Sequence, residues 1–125
     1  MGRKFGSSFH WRQRERLDPF VEKATQQNLR SRAYFKLEQI QVKERILKAG
    51  MNCADLGASP GGWSQYAARI VGNRGTVWAI DIVPMEPLQG VVFMQGDFSC
   101  EEIQYAFKDA LADAALDLVM SDMAP

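Results

Sequence analysis

One stretch constrains this chain more than any other: Met51-Asn-Cys-Ala-Asp-Leu-Gly-Ala-Ser-Pro-Gly-Gly-Trp63. Asn52 to Leu56 is a short, mostly apolar run, the pattern of a parallel strand covered on both faces. Gly57 ends it. Pro60 is well placed at or near the first turn of a helix, where its missing N–H costs nothing. Gly61 and Gly62 remove side chains where a ligand would meet the backbone. The N–H groups that open such a helix are available to a carboxylate or another anion. Strand, glycine turn and helix in this order frame a nucleotide-type cofactor site in an α/β protein. Gly57, Gly61 and Gly62 do not spell the dinucleotide fingerprint, and no Gly-Lys-Ser/Thr follows, so a P-loop is excluded too.

The sequence after this stretch repeats the same architecture. Gly62 to about Val71 has Trp63, Tyr66, Ala67 and Ile70 at helical spacing. Gly72 to Gly75 is a turn, and Thr76 to Ile82 a second buried strand with the acid Asp81 at its end. A carboxylate there can accept both hydroxyls of a ribose. A Pro-rich connection, Val83 to Pro87, leads to a third strand from Val91. Asp97 follows at its carboxyl end, where open α/β sheets bind ligands, and can accept from the exocyclic amine of adenine. Residues 100–113 read as an amphipathic helix with Ile103, Ala106, Phe107, Ala110 and Leu111 inward. Leu116 to Met120 is a fourth strand, running into Ser121-Asp122-Met123-Ala124-Pro125.

Ahead of the glycine turn, Asp18 and Pro19 open a helix through about Gln27. Ser31 can cap the next helix, from Arg32 to about Leu47, with Ala33, Leu37, Ile40 and Leu47 on its apolar face and Lys36 at the margin. The charge is divided along the chain. Residues 1–48 hold twelve Lys/Arg against five Asp/Glu, a balance of +7, and residues 49–125 hold three against ten, a balance of −7. In residues 1–16, Arg3, Lys4, Arg12 and Arg14 are interleaved with Phe5, Phe9 and Trp11, a mixture that pairs with phosphates and stacks on bases. Such asymmetry points to a nucleic-acid contact surface joined to an acidic domain. Arg30 and Arg32 extend that surface. The division is therefore a basic, RNA-contacting segment over 1–30 and a cofactor-binding domain over 31–125.

Other classes fit poorly. No run approaches the roughly 18 apolar residues of a membrane span, and the basic N-terminus lacks the apolar core of a secretory signal. With two cysteines, Cys53 and Cys100, and no export signal, a reducing cytoplasm without disulfides is expected. His10 is the single histidine, so no metal site is expected.

Asp55 followed by G-A-S-P-G-G-W resembles the first motif of S-adenosylmethionine (SAM)-dependent methyltransferases. In its D-L-G-x-x-P-G-G-W form, with L-R-S-R-A-Y-F-K-L-x-x-I ahead of it, the chain resembles the FtsJ/RrmJ family of RNA ribose 2′-O-methyltransferases. The resemblance implies a Rossmann-like SAM-methyltransferase fold, here truncated after about the fourth strand. It implies SAM held by Gly57, Pro60, Gly61, Gly62, Trp63, Asp81, Asp97 and Asp122, and a catalytic Lys-Asp-Lys-Glu group whose first two members match Lys36 and Asp122. The second lysine, to which the proton-acceptor role is generally given, and the glutamate lie beyond the D-M-A-P segment in the family. The implied substrate is a ribose, a uridine's, in large-subunit ribosomal RNA, met as RNA or as the subunit by a monomer. Relatives acting on tRNA or mRNA caps share the motif. A non-catalytic SAM- and RNA-binding fragment and a methylase of small molecules or protein are the competing readings.

Overall fold

The computed structural model describes residues 28–122, so the basic 1–16 segment, the expected helix over 18–27 and the final Met123-Ala-Pro lie outside the described residues. Within them, four strands form one all-parallel sheet: β1 (Asn52–Leu56), β2 (Thr76–Asp81), β3 (Val91–Gln95) and β4 (Leu118–Ser121). Their spatial order is β3-β2-β1-β4. The glycine turn therefore leaves the sheet at β1, between β2 and β4, where the strand order reverses and open α/β sheets place their ligands.

Strand alternation explains the two cores. Cys53, Val77 and Met120 point to one face with Tyr34, Phe35, Leu37, Tyr66, Ala67 and Val71. That face is covered by α1 (Ala33–Glu44) and α2 (Gly62–Val71). Ala54, Trp78 and Ile80 point to the other, where Phe107 of α3 (Glu101–Leu111) covers them. Helices on both faces make the sheet doubly wound, as the strand pattern implies.

The helix bounds correct two expectations. α1 begins at Ala33 with Arg32 as N-cap and no side-chain cap, so Ser31 does not cap it. It stops at Glu44, because Arg45 turns left-handed and donates its N–H to the Gln41 carbonyl at 2.8 Å. Leu47 is buried beyond the helix, its backbone N–H and C=O both bonded by the Gln41 side chain (2.8 and 2.7 Å). In α3 only Phe107 is buried, with Ile103 and Leu111 packing partly, whereas Ala106 and Ala110 face solvent. Cys53 is buried and Cys100 exposed, both as free thiols.

Candidate functional site

The carboxyl ends of β1, β2, β3 and β4 each deliver an acid to one side of the sheet, and each acid is held differently. Asp55, at 1% exposure, accepts from Ser64 Oγ at 2.7 Å, a hydroxyl two residues into α2. Burial pushes its carboxyl up to about 6, against the opposing pull of the Ser64 hydrogen bonds; the charges of Asp122 and Asp81 add to the rise. Asp81 accepts the Ser59 N–H at Oδ2 (2.8 Å) and the Val83 N–H at Oδ1 (3.0 Å). Each oxygen keeps a second lone pair for a ligand. Asp97 is exposed and accepts from the Ser99 N–H (2.9 Å) and hydroxyl (2.7 Å), bonds that hold its carboxyl below the usual range. Asp122 pairs with Lys36 Nζ at 2.5 Å.

Two cavities meet at Gly57. One, of about 470 Å³, runs over Leu56, Ile80, Ile82 and Phe98 between Asp81 and Asp97. Its mixture of apolar wall and terminal carboxylates suits a nucleoside, ring on the wall and hydroxyls on the acid. The other, of about 210 Å³, is lined by Ser31, Asp55, Ser59, Pro60, Gly62, Trp63 and Asp122. Beside its lining, Ser31 Oγ and Trp63 Nε1 are buried with no partner among the described residues. Buried polar groups are normally satisfied, so these two await a polar ligand or water. A third cavity, about 260 Å³, lies on the outer side of Asp122 between Arg32, Phe35, Lys36 and Gln39. Asp122 thus walls two neighbouring cavities.

Pro60 and the paired glycines also serve the fold itself. Pro60 stands directly before the N-cap Gly61, next to the first helical turn. Gly61 has φ +116°, and a Cβ there would meet Met85 Sδ at 3.0 Å and Leu88 Cδ1 at 3.1 Å. A Cβ on Gly62 would lie 2.4 Å from Ser31 Oγ. The glycines are thus required first by packing of the protein on itself, although Gly62 still borders the smaller cavity. Gly57, at φ +72°, borders both the 210 Å³ and the 470 Å³ cavities.

Trp63 is half-buried, with Lys36 Nζ 5.9 Å above its ring. Lys36 itself is 62% exposed and its charged neighbour is a carboxylate. It shares the wall of the outer cavity with Arg32. Of the basic residues expected on RNA, Arg3, Lys4, Arg12 and Arg14 lie outside the described residues. Arg32 lines the outer cavity, and Arg30 turns its guanidinium to backbone carbonyls. Sequence reasoning missed Ser59 and Ser64, since no spacing rule links a donor to an acid nine or twenty-two residues away, and it gave Ser31 only a capping role. Among the described residues no group of three His, Cys, Asp or Glu could hold a metal, and no helix is long and apolar enough to cross a membrane.

A family model described as FtsJ-like methyltransferase matches residues 29–125. Among solved structures, the chain is similar to a protein of Plasmodium falciparum assigned as a ribosomal RNA methyltransferase, at 31% identity and a TM-score of 0.69. That similarity covers 77% of this chain and 57% of the other, so the chain spans little more than half of that relative. An arsenic(III) SAM methyltransferase of Chlamydomonas reinhardtii matches at 27% identity over 58% of this chain and 29% of that one, with a TM-score of 0.43, too low to bear on function. The glycine turn, the four strand-end acids and the match over residues 29–125 converge on one statement: the chain belongs to the FtsJ-like methyltransferase family.

Proposed function

We propose that this protein takes part in SAM-dependent methylation of a ribose 2′-oxygen in RNA, with large-subunit ribosomal RNA as the substrate. The observation that carries the reading is the place of Asp122, which walls both the small cavity beside Asp55 and Trp63 and the outer cavity beside Lys36. A group on that carboxylate can touch a cofactor on one side and an acceptor on the other.

The residues present fit SAM. Asp81 would take the ribose hydroxyls on its two remaining lone pairs, and Asp97 the adenine amine. Asp55 and Asp122 match the positive charges of a methionyl sulfonium and ammonium, while Ser31 Oγ and Trp63 Nε1 supply donors for its carboxylate. When bound, SAM supplies a methyl group on a sulfonium, already an excellent leaving group. The protein's larger task is alignment of the acceptor oxygen with that methyl. Lys36 and Asp122 support this role: the carboxylate accepts from the 2′-OH, and the ammonium fixes the carboxylate. The basic stretch before α1 would hold the RNA backbone. Removal of the hydroxyl proton requires a base, the role that the family resemblance gives to a second lysine beyond the D-M-A-P segment; Lys36, exposed and bound to Asp122, orients rather than accepts.

The test uses the protein at its natural length with ribosomal RNA and SAM, followed by nucleoside digestion and mass spectrometry. A 2′-O-methylated nucleoside, uridine first, is expected. Methyl groups found only on bases, or only on small molecules, would overturn the reading.

A further inference from the structure

Arg30 carries a second role for a residue that charge alone assigns to RNA. The connection between β2 and β3, residues 82–90, has no regular structure, and Pro84 and Pro87 remove two of its N–H donors. Its carbonyls must then find donors elsewhere. Ser59 Oγ donates to the Pro84 carbonyl at 3.0 Å. Gln95 Nε2 donates to the Ile82 carbonyl at 3.0 Å, and the Val91 and Val77 N–H groups bond the Leu88 and Gly90 carbonyls at 3.2 Å each. Arg30 takes the middle of the segment: Nη1 donates to the Glu86 carbonyl at 2.9 Å and Nη2 to the Pro87 carbonyl at 2.7 Å. The same Nη1 reaches the Pro60 carbonyl at a longer 3.4 Å. Its own backbone N–H is fixed by Gln65 Oε1 of α2 at 2.9 Å.

These contacts converge on Asp81. One of its oxygens takes the Ser59 N–H, from the segment that Arg30 touches at Pro60; the other takes the Val83 N–H, from the segment Arg30 holds at Glu86 and Pro87. Met85 and Leu88 of that second segment lie against Gly61, so the two segments are stacked as well as pinned. We infer that Arg30 is a positioning residue that sets the Asp81 carboxylate for a ribose by clamping both loops that grip it. The clamp needs a fork: two carbonyls are held by two nitrogens of one planar group, which a lysine's point charge cannot reproduce. The inference rests on the cofactor reading for Asp81, and the experiment separates the two.

Wild type, Arg30→Lys and Arg30→Ala, each at natural length, are compared in three ways. Amide exchange without cofactor is expected to quicken in residues 83–90 in both variants and not in β1 or β2; unchanged exchange there, or a uniform rise across the chain, would overturn the clamp. SAM affinity, by calorimetry, is expected to fall roughly tenfold in both, consistent with loss of hydrogen bonds to a charged group. RNA affinity across a salt series should keep its slope. A slope reduced by about one with SAM affinity unchanged would make Arg30 a phosphate contact instead. Should wild type bind no SAM, the cofactor reading falls, and the exchange data alone still decide the clamp.

Discussion

The two sides of the groove are built on different principles. On the side proposed for the cofactor, Asp55, Asp81 and Asp97 are held by hydroxyl and amide donors that lie 9, 22 and 2 residues away in sequence. On the side proposed for the acceptor, Asp122 is held by the ammonium of Lys36, 86 residues away and largely exposed. The first three need only β1, β2, β3 and the turns and helix that directly follow them. A pair between α1 and β4 depends on the whole sheet being in place and contributes little to stability in solvent. Cofactor binding is therefore expected to be robust to changes that abolish transfer, and four substitutions test that division in decreasing order of effect.

Asp81→Ala should be the most damaging to the cofactor side. It strands the Ser59 and Val83 N–H groups and removes the proposed ribose acceptor, so calorimetry should show SAM affinity reduced by ~100-fold or more, about 3 kcal/mol. An affinity within threefold of wild type would move the ribose elsewhere.

Asp55→Asn should change stability with a definite sign. The folded carboxyl titrates near 6 against an ordinary 3.8, so the folded state holds its proton more tightly than the unfolded one. The stability from this group is present below about pH 4 and lost as pH rises through 6. Asparagine removes that loss while its carbonyl still accepts from Ser64. In urea melts the variant should be more stable than wild type at pH 7.5, by on the order of 2 kcal/mol, and nearly equal at pH 4. Equal destabilisation at both pH values would mean that burial does not set the titration. The cost borne at neutral pH makes sense if the charge serves a cationic ligand.

Gly62→Ala tests whether packing or ligand access requires the glycine. Its Cβ would meet Ser31 Oγ at 2.4 Å and the Tyr34 backbone nitrogen at 3.0 Å, so folded stability should fall by about 1–2 kcal/mol even without SAM. Undiminished stability with lost SAM binding would restore the glycine to a purely ligand-facing role.

How much of this was legible in the sequence differs by region. β1 and the bounds of α2 follow from Asn52–Leu56 and Gly62–Val71 as read, and β2 falls one residue short because Ile82 is exposed beyond the strand. Buried parallel strands carry a continuous apolar signal that needs no tertiary context. α1 is less legible. Tyr34 and Phe35 are core residues, whereas Leu47, read as helical, is buried only because Arg45 turns left-handed and Gln41 catches the chain. The inward face of α3 was read too broadly, since Ala106 and Ala110 have no partner surface in the described sheet. Lys36 and Asp122 were picked out by resemblance, and their pairing is a tertiary fact that no local pattern encodes. Arg30 shows the limit of counting charge: its guanidinium serves carbonyls from two loops.

The smallest binding effect is also the sharpest test. Lys36→Ala breaks an exposed pair, so folded stability should change by less than about 1 kcal/mol. Calorimetric titration of SAM into this variant at natural length, beside its turnover on ribosomal RNA, addresses the division directly. SAM affinity within about twofold of wild type with turnover sharply reduced is the predicted result. Lost SAM affinity, or full turnover, would contradict a groove divided at Asp122 between a cofactor side and an acceptor side.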